Sequence, residues 1–389
     1  MSLGDRTTSI QVMTPADNHQ KCARAPEQFR LSGNLLRAIV AVWILLIGSE
    51  TSWSQTGIMQ FTAYPPDAVY EKFMGDHAWR IFATGEIDAN AGKRLAALIK
   101  SKNIPLHSNL YLHSPGGNLA AGMALGRVIR EYRLHTYIGR FDPNLKYVGG
   151  APGFCYSACA TAFLGGVFRY WTNGSVYGVH RFYWEGRSDK DADIAQILSA
   201  TVVEYIRSMG VDTKIFALAS QAGSSEIVTP SHETLLALNV VNDGRNPVKW
   251  TIESLSQGGA KAMYLKGEQE TDNGMNKFML VCVPGEPVLL YAIYDVGANA
   301  DETMRFAVSL LFLDRKPIRV DYEKEIVNGM MNLTYTLNDT LLNSISKAKT
   351  VGAGLQPTPE GAIFSGFNSM PFEGGAAKLP GFLAVCHRN

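Results

Sequence analysis

The chain has 389 residues, with 36 Lys and Arg against 35 Asp and Glu and a formal net charge of +1 at pH 7. Hydrophobic residues make up 46% of it, which is ordinary for a globular protein, and the length suffices for two domains with full cores. The balanced charge gives no electrostatic reason to expect nucleic acid or an anionic membrane as a partner.

The N-terminus predicts export. Residues 1–54 combine a polar leading segment, an apolar run at residues 38–48 and the small residues Ser52 and Ser54, a pattern typical of a signal peptide with a long leading region. The apolar run is shorter than the ~20 residues that span a bilayer comfortably. We therefore expect export to the bacterial periplasm, and the alternative is an uncleaved anchor in the inner membrane through residues 38–48.

Residues 55–78, which contain Pro65 and Pro66, predict a linker. Apolar strands then alternate with amphipathic helices over residues 79–248, and such alternation favours a parallel β-sheet with crossover helices. The predicted strands are 79–85, 108–113, 134–138 and 175–180. The predicted helices are 88–99 with Asp88 as its N-cap, 118–132, 156–164, 191–209, 212–220 and 230–238.

The pattern of apolar and turn-forming residues changes at about residue 249. Short apolar runs separated by Gly, Asp and Asn turns predict a smaller, mostly-β domain over residues 249–389. Its predicted strands are 278–283, 288–294, 305–313 and 382–386, and its one predicted helix is 339–347. No catalytic motif is recognised in this part of the chain.

Three short segments carry the groups that acyl transfer needs. The turn Ser114–Gly117, with sequence SPGG, can aim backbone N–H groups into a pocket. Ser157 begins an alanine-rich helix, and His180 ends a β-like run. A serine hydroxyl becomes a nucleophile when a base removes its proton, and histidine is the side chain most often used as that base.

The order of these segments resembles that of the proteolytic subunit of Clp protease, within the Clp/crotonase superfamily. The resemblance covers residues 75–245 and rests on Trp79–Asp88, Leu110–Gly117, Ser157–Gly166, Arg169 and Ser175–His180. It implies a Clp/crotonase-like parallel β-sheet with crossover helices, in which Ser157 is the nucleophile and His180 is the base. By the same resemblance, the N–H groups of Gly117 and Ala158 form the oxyanion hole, and Arg169 has a structural role.

The resemblance leaves the third catalytic group open. It places that group near Glu226, with Asp212, Asp243 or a Ser–His dyad as alternatives. Two departures from the family pattern are a longer segment at residues 140–154 and the lack of a clear aspartate at the third position. The resemblance also implies a homo-oligomer, because helix 191–209 corresponds to the family's subunit-contacting handle.

Four cysteines follow the predicted signal, and an even number in an exported chain favours disulfides. Cys282 and Cys386 are one candidate pair, which would join opposite ends of the second domain. Cys155 and Cys159 flank Ser157 and are the other, although a bond between residues four apart in one helix is strained. Two cysteines alone give little support to a zinc site, so no metal and no cofactor are expected. A disulfide beside Ser157 is either a permanent brace or, as a sharper hypothesis, a redox switch of the oxyanion hole.

These observations together predict an exported serine hydrolase. We expect a peptidase that works without ATP and forms an acyl-enzyme on Ser157, with a peptide or an unfolded polypeptide as substrate. The alternative is a catalytically inactive Clp-like binding or scaffold protein of the periplasm. A crotonase-type acyl-CoA enzyme shares the oxyanion hole but fits export poorly. Membrane contact is expected only through an uncleaved signal.

Overall fold

A computed structural model describes residues 57–67, 77–144, 150–182, 191–223, 226–257, 260–283, 285–361 and 363–386. Residues 56–389 form one compact unit that contains two hydrophobic cores, one built from residues 59–241 and the other from residues 250–386. The predicted signal peptide, residues 1–54, lies outside the described residues and stays a prediction. The predicted domain boundary at residue 249 falls between the two cores.

The first core is covered by short strands and helices in alternation. The strands are β1 (Gln60–Tyr64), β2 (Arg80–Thr84), β3 (Asn109–His113), β4 (His135–Ile138), β5 (Phe154–Tyr156), β6 (Arg169–Tyr170) and β7 (Val176–Gly178). The helices are α1 (Ala91–Lys102), α2 (Leu119–Glu131), α3 (Ala158–Phe163), α4 (Asp191–Ser208), α5 (Lys214–Gln221) and α6 (His232–Ala237). The protein is therefore a mixed α/β structure in this half.

Strands β1, β2, β3, β4 and β6 form one sheet in that order, and β5 and β7 form a separate parallel pair. The pairs β2–β3, β3–β4 and β4–β6 are parallel. An isolated bridge between Ser114 and Cys155 joins the end of β3 to β5. The parallel arrangement brings the carboxyl ends of β3, β5 and β7 to one edge. The SPGG turn, Ser157 and His180 follow these three strand ends in turn.

The predicted linker is wrong in part. Residues 60–64 form β1, which pairs antiparallel with β2 along its whole length. A strand this short and partly exposed carries little apolar signal, and two prolines directly follow it, which is why the sequence pattern favours a linker.

The predicted cap of the first helix is also wrong. Helix α1 begins at Ala91, after Asn90, and Asp88 lies outside it. The Asp88 carboxylate instead forms an ion pair with Arg94, whose guanidinium also donates to the Met59 carbonyl at 2.9 Å. The hydrogen bond from Arg94 lowers the pKa of Asp88 to about 2. Helix α2 has the expected kind of cap, because Asn118 accepts from the Ala121 N–H.

The second core lies among antiparallel strands. These are β8 (Lys249–Gln257), β9 (Ala260–Thr271), β10 (Gly274–Cys282), β11 (Leu289–Asp295), β12 (Val308–Leu313), β13 (Lys316–Ile318), β14 (Glu323–Val327), β15 (Met330–Thr336), β16 (Thr350–Gln356) and β17 (Ser365–Pro371). They form a six-stranded sheet, β14-β15-β11-β10-β9-β8, and a four-stranded sheet, β13-β12-β16-β17. Three helices accompany them, α7 (Ala300–Thr303), α8 (Asp339–Lys347) and α9 (Glu373–Cys386), together with a 3-10 turn at Gly297–Asn299.

The predicted strand 382–386 is wrong, because these residues lie in helix α9. The buried residues of α9 are Gly375, Leu379, Phe382 and Cys386, which recur every three or four positions as on one face of a helix. A five-residue apolar run that follows Pro380 does not distinguish a strand from a helix, so the pattern misleads. Cys386 forms a disulfide with Cys282 of β10, with 5.9 Å between their Cα atoms, and so ties α9 to the six-stranded sheet.

Arg169 is fully buried and supports the first core from inside. Its guanidinium donates to the carbonyls of Val240 at 2.8 Å, Gly166 at 2.7 Å and Asn239 at 2.8 Å. Burial lowers the pKa of Arg169 to about 9, which leaves it a cation at neutral pH. The charge is thus compensated by carbonyl dipoles, and this side chain joins the end of α3 to the segment after α6.

We expect Arg169→Met to lower the free energy of unfolding by about 3 kcal/mol, because three buried carbonyls lose their donor. Urea unfolding followed by circular dichroism measures this change. Arg305→Met is the matched control, since Arg305 is exposed, and its midpoint should stay near that of the wild type. Equal midpoints for the two variants would contradict the structural role of Arg169.

A polar network links the two cores. Arg133 pairs with Glu270 of β9 and donates from Nε to His107 Nε2 at 3.0 Å. Arginine can only donate, so His107 carries its proton on Nδ1 and donates to His135 Nε2 at 3.2 Å. Burial, the neighbouring His107 and Arg133 lower the pKa of His135, in that order, to about 4. Both imidazoles are therefore neutral in the folded protein at pH 7.

The folded protein should lose stability as the pH falls from about 6.5 to 4. An unfolded histidine has a pKa of about 6.5, so in this range the unfolded state binds more protons than the folded state. Urea midpoints measured across this range test the effect. His135→Gln should flatten the slope, and an unchanged slope in that variant would show that His135 does not cause it.

Candidate active site

Ser157 occupies the junction between β5 and α3. Its φ is 57° and its ψ is −120°, a backbone conformation that is costly for a residue with a Cβ. Its N–H donates to the Gly178 carbonyl at the end of β7 at 3.0 Å. The predicted helix 156–164 therefore starts too early: Tyr156 belongs to a strand, and Ser157 lies at the sharp turn that precedes the helix.

The Pro-Gly-Gly turn packs directly on this serine. Gly116 and Gly117 have φ of 111° and 132°, in the region that favours glycine. A Cβ on Gly116 would lie 2.7 Å from the Ser157 Cβ, so no larger residue fits there. The turn is held by hydrogen bonds on both sides of Gly117: Ile87 N–H donates to the Gly116 carbonyl at 2.7 Å, and Asn118 N–H donates to the Ile87 carbonyl at 2.9 Å.

The two N–H groups predicted to form the oxyanion hole are available as donors. Among the described residues, neither the Gly117 N–H nor the Ala158 N–H donates to another protein group. Gly117 lines the cavity described below, whereas the side chain of Ala158 is fully buried beside it. Their role in binding an oxyanion stays a prediction.

His180 follows β7 and is half-buried. Its Nδ1 lies 2.8 Å from the carbonyl oxygen of Arg181. A carbonyl only accepts, so Nδ1 carries a proton, and in the neutral ring the lone pair belongs to Nε2. This is the tautomer that a general base toward a serine hydroxyl requires. Within the described residues no hydrogen bond joins Ser157 and His180.

Ser157 and His180 line the same cavity, which has a volume of about 690 Å³. This volume is within the usual range of ligand pockets, ~300–1,000 Å³. The turn residues Gly116, Gly117 and Asn118 also line it. Its wall is largely apolar and consists of Leu119, Ala160, Leu164, Val179, Leu198, Val202, Ile206, Ile215, Phe216 and Ala219. Charged side chains enter it at Glu86 and Arg181.

Glu226, the predicted third catalytic residue, makes no hydrogen bond to His180 among the described residues. Its carboxylate accepts from the Gly223 N–H at 3.2 Å, on the exposed surface. It lies near the site because Val228 pairs with Val179 through two backbone hydrogen bonds of 2.9 Å. Its catalytic role stays a prediction, and the structure offers the Arg181 carbonyl as a different partner for the imidazole.

The alternative carboxylates have other partners. Asp212 accepts from the Lys214 N–H at 2.9 Å, and the Asp243 carboxylate lies 3.5 Å from His232 Nε2. His113, which precedes the SPGG turn, accepts from the Phe154 N–H at 3.2 Å, and burial lowers its pKa. These side chains therefore have structural partners of their own.

Cys155 and Cys159 form a disulfide with 5.1 Å between their Cα atoms. The strain expected for a bond within one helix does not arise, because Cys155 lies in β5 and only Cys159 lies in α3. Both cysteines are fully buried. The bond closes a ring of the chain around Ser157.

Sequence reasoning missed the Arg181 carbonyl, Glu86 and the apolar wall supplied by α4 and α5. A main-chain carbonyl leaves no trace in a sequence. The apolar positions of α4, such as Val202 and Ile206, indicate a buried helix face but not that this face borders a cavity. In the described part of the chain, no three His, Cys, Asp or Glu side chains gather as a metal site requires. No helix there has the length and apolar character needed to cross a membrane.

No family model matches the chain, and no curated protein matches it. Among solved structures it is similar to ClpP1 from Listeria monocytogenes and to a mutant of that protein, each with 14% identity and a TM-score of 0.31 over 40% of this chain and 85% of the other. It is also similar to a mutant of the membrane-bound stomatin-specific protease 1510-N, with 17% identity and a TM-score of 0.30 over 42% of this chain and 75% of the other. At these values no fold or activity is transferred from them.

The Nδ1–H tautomer of His180 can be tested without an activity assay. At alkaline pH, nitrogen-15 correlation spectra should show His180 protonated on Nδ1, because the Arg181 carbonyl accepts from that atom. Glu226→Gln should leave the spectrum unchanged, since its carboxylate does not bind the ring. Protonation on Nε2, or a change of tautomer in Glu226→Gln, would contradict this geometry.

Proposed function

We propose that this protein is an exported serine hydrolase, most simply a peptidase, that acts through an acyl-enzyme on Ser157. One observation carries the proposal: Ser157, in a strained strand-to-helix turn, lines the same cavity as an imidazole whose Nδ1 is bound to a carbonyl, which leaves Nε2 as the basic atom of the neutral ring. Nucleophile and base are the two groups that covalent acyl transfer needs first.

The proposed reaction uses groups on this chain. Ser157 Oγ attacks the acyl carbon while His180 Nε2 takes its proton, and the imidazolium then returns that proton to the leaving group. The N–H groups of Gly117 and Ala158 stabilise the oxyanion. The Arg181 carbonyl holds the tautomer, a part that a carboxylate plays in other serine hydrolases. Water activated by the same imidazole releases the acyl group.

The proposed arrangement of the first half is Clp/crotonase-like. Its support is the parallel set β2, β3, β4 and β6, the crossover helices, and the Ser114–Cys155 bridge that brings the SPGG turn beside Ser157. Export to the periplasm and removal of residues 1–54 belong to the same proposal. A homo-oligomer formed through α4 is proposed as well, because Ile194 and Ile197 of that helix are exposed.

The cavity supports a substrate with an apolar group next to the acyl carbon. The wall beside Ser157 is built from aliphatic side chains and Phe216, and it has room for one large side chain. A peptide or an unfolded segment with an apolar residue at the cleaved bond fits this description. No metal or organic cofactor enters the proposed steps.

A fluorophosphonate probe tests the proposal. The wild type should be labelled on Ser157, Ser157→Ala should not be labelled, and His180→Ala should react about 10²–10⁴-fold more slowly because the base is lost. Ser344→Ala is the matched control, as Ser344 is an exposed serine on α8. Labelling of Ser157→Ala at the wild-type rate refutes the assignment.

A second candidate is a catalytically inactive binding or scaffold protein of the periplasm. The observation that favours it is the lack, among the described residues, of a hydrogen bond between Ser157 and His180. Under this hypothesis the wild type is not labelled by the probe, yet an apolar peptide still binds in the cavity. Isothermal calorimetry and a cleavage assay on the wild type separate the two candidates, because a scaffold protein binds the peptide without cleaving it.

A further inference from the structure

The disulfide next to Ser157 closes a very small ring. The ring consists of the five residues 155–159, and Ser157 is at its centre. Ser157 is the residue of this ring with a positive φ, and such a conformation persists only where surrounding structure imposes it. A covalent ring excludes many of the backbone conformations to which this turn would otherwise relax.

Each end of the ring is fixed to a different side of the cavity. On the Cys155 side, Tyr156 N–H donates to the Ser114 carbonyl at 3.1 Å, and Ser114 N–H donates to the Phe154 carbonyl at 2.9 Å. Ser114 is the residue that opens the SPGG turn. On the Cys159 side, α3 packs against α2 so closely that a Cβ on Gly122 would lie 2.5 Å from the Ala158 carbonyl oxygen. The disulfide therefore links β5, which is hydrogen-bonded to the SPGG turn, to helix α3, which follows Ser157.

The burial of the Cys155–Cys159 disulfide decides whether it is a permanent brace or a redox switch. Both cysteines have 0% exposure and belong to the first hydrophobic core, in contact with the apolar layer between sheet and helices. Thiol–disulfide exchange requires access of a thiolate to one sulfur, so a reductant does not reach this bond while the core is folded. A permanent brace fits these facts, and a redox switch does not.

We propose that the Cys155–Cys159 disulfide is a positioning element of the active site, which holds the backbone of Ser157 in its strained turn. The proposal rests on the proposed function for its catalytic consequence, while the conformational part stands on the geometry alone. Without the bond, the turn relaxes toward a conformation with negative φ, and the hydroxyl leaves its position in the cavity that His180 and the SPGG turn also line.

The test compares two disulfide deletions of the whole chain. In Cys155→Ala/Cys159→Ala, hydrogen exchange of the Ser157 amide should accelerate at least tenfold relative to the buried Thr136 amide, which reports the stability of the same core. In the matched control Cys282→Ala/Cys386→Ala, this ratio should stay at the wild-type value although the urea midpoint falls. An unchanged Ser157-to-Thr136 ratio in the first variant would overturn the proposal.

The catalytic consequence is read from the same proteins. With fluorophosphonate, the second-order labelling rate at Ser157 should fall at least tenfold in Cys155→Ala/Cys159→Ala, and it should stay within twofold of wild type in the control. With a peptide substrate the loss should appear in kcat and not in KM, because the cavity wall is intact. Wild-type labelling rates in a folded Cys155→Ala/Cys159→Ala protein would refute the catalytic part.

Failure of this inference is distinguishable from failure of the proposed function. If the wild type is not labelled at all, the function fails, and the amide-exchange ratio still decides whether the disulfide braces the turn. Should Cys155→Ala/Cys159→Ala not fold, Cys155→Val/Cys159→Ala fills the buried volume of the lost sulfurs, and the same ratio is measured on it. A wild-type ratio in either folded variant overturns the brace.

Discussion

The candidate site depends on one stretch of backbone, the junction at which β5 becomes α3. A serine with φ of 57° and ψ of −120° is stable there because its N–H is bound by the Gly178 carbonyl and because Gly116 leaves room for its Cβ. These contacts hold three segments that are far apart in the sequence in fixed positions relative to one another. The segments are the SPGG turn, Ser157 and the end of β7. The direction of the Ser157 Cα–Cβ bond follows from this backbone and not from the surface around the side chain.

The helix that begins at this junction is also held at its far end. The last carbonyls of a helix have no partners within it, and the carbonyls of the three residues that follow α3 accept from two arginines, of which one is half-buried and the other fully buried. Arg130 donates to the carbonyls of Leu164, Gly165 and Gly166, and Arg169 also donates to Gly166. Two cations near the C-terminal end also interact favourably with the helix dipole. Helix α3 has only six residues, so these contacts and the disulfide, more than its own hydrogen bonds, determine where it lies.

Much of the element order can be predicted from the sequence, and the failures have physical causes. Helix α8, with an Asn338 cap and a strong apolar stripe, has the predicted bounds Asp339–Lys347. Strand β1 and helix α9 were missed because short apolar runs beside proline do not reveal their period. Within the site, side-chain chemistry singled out Ser157 and His180, and these line one cavity. The Arg181 carbonyl and the strained turn could not be foreseen, because every residue has a carbonyl and φ is set by tertiary contacts.

The same carbonyl restrains the imidazole that shares a cavity with Ser157. Because His180 Nδ1 donates to the Arg181 carbonyl at 2.8 Å, rotation of the ring away from this orientation would break the hydrogen bond. The segment after β7 is paired to Val228 through Val179 on one side and borders the cavity through Arg181 and Phe182 on the other. A ligand that fills the cavity therefore contacts the residues on either side of the imidazole. Catalytic hydrogen bonds are often long without substrate and shorten on binding, so under the proposed function the missing Ser157–His180 hydrogen bond is compatible with catalysis.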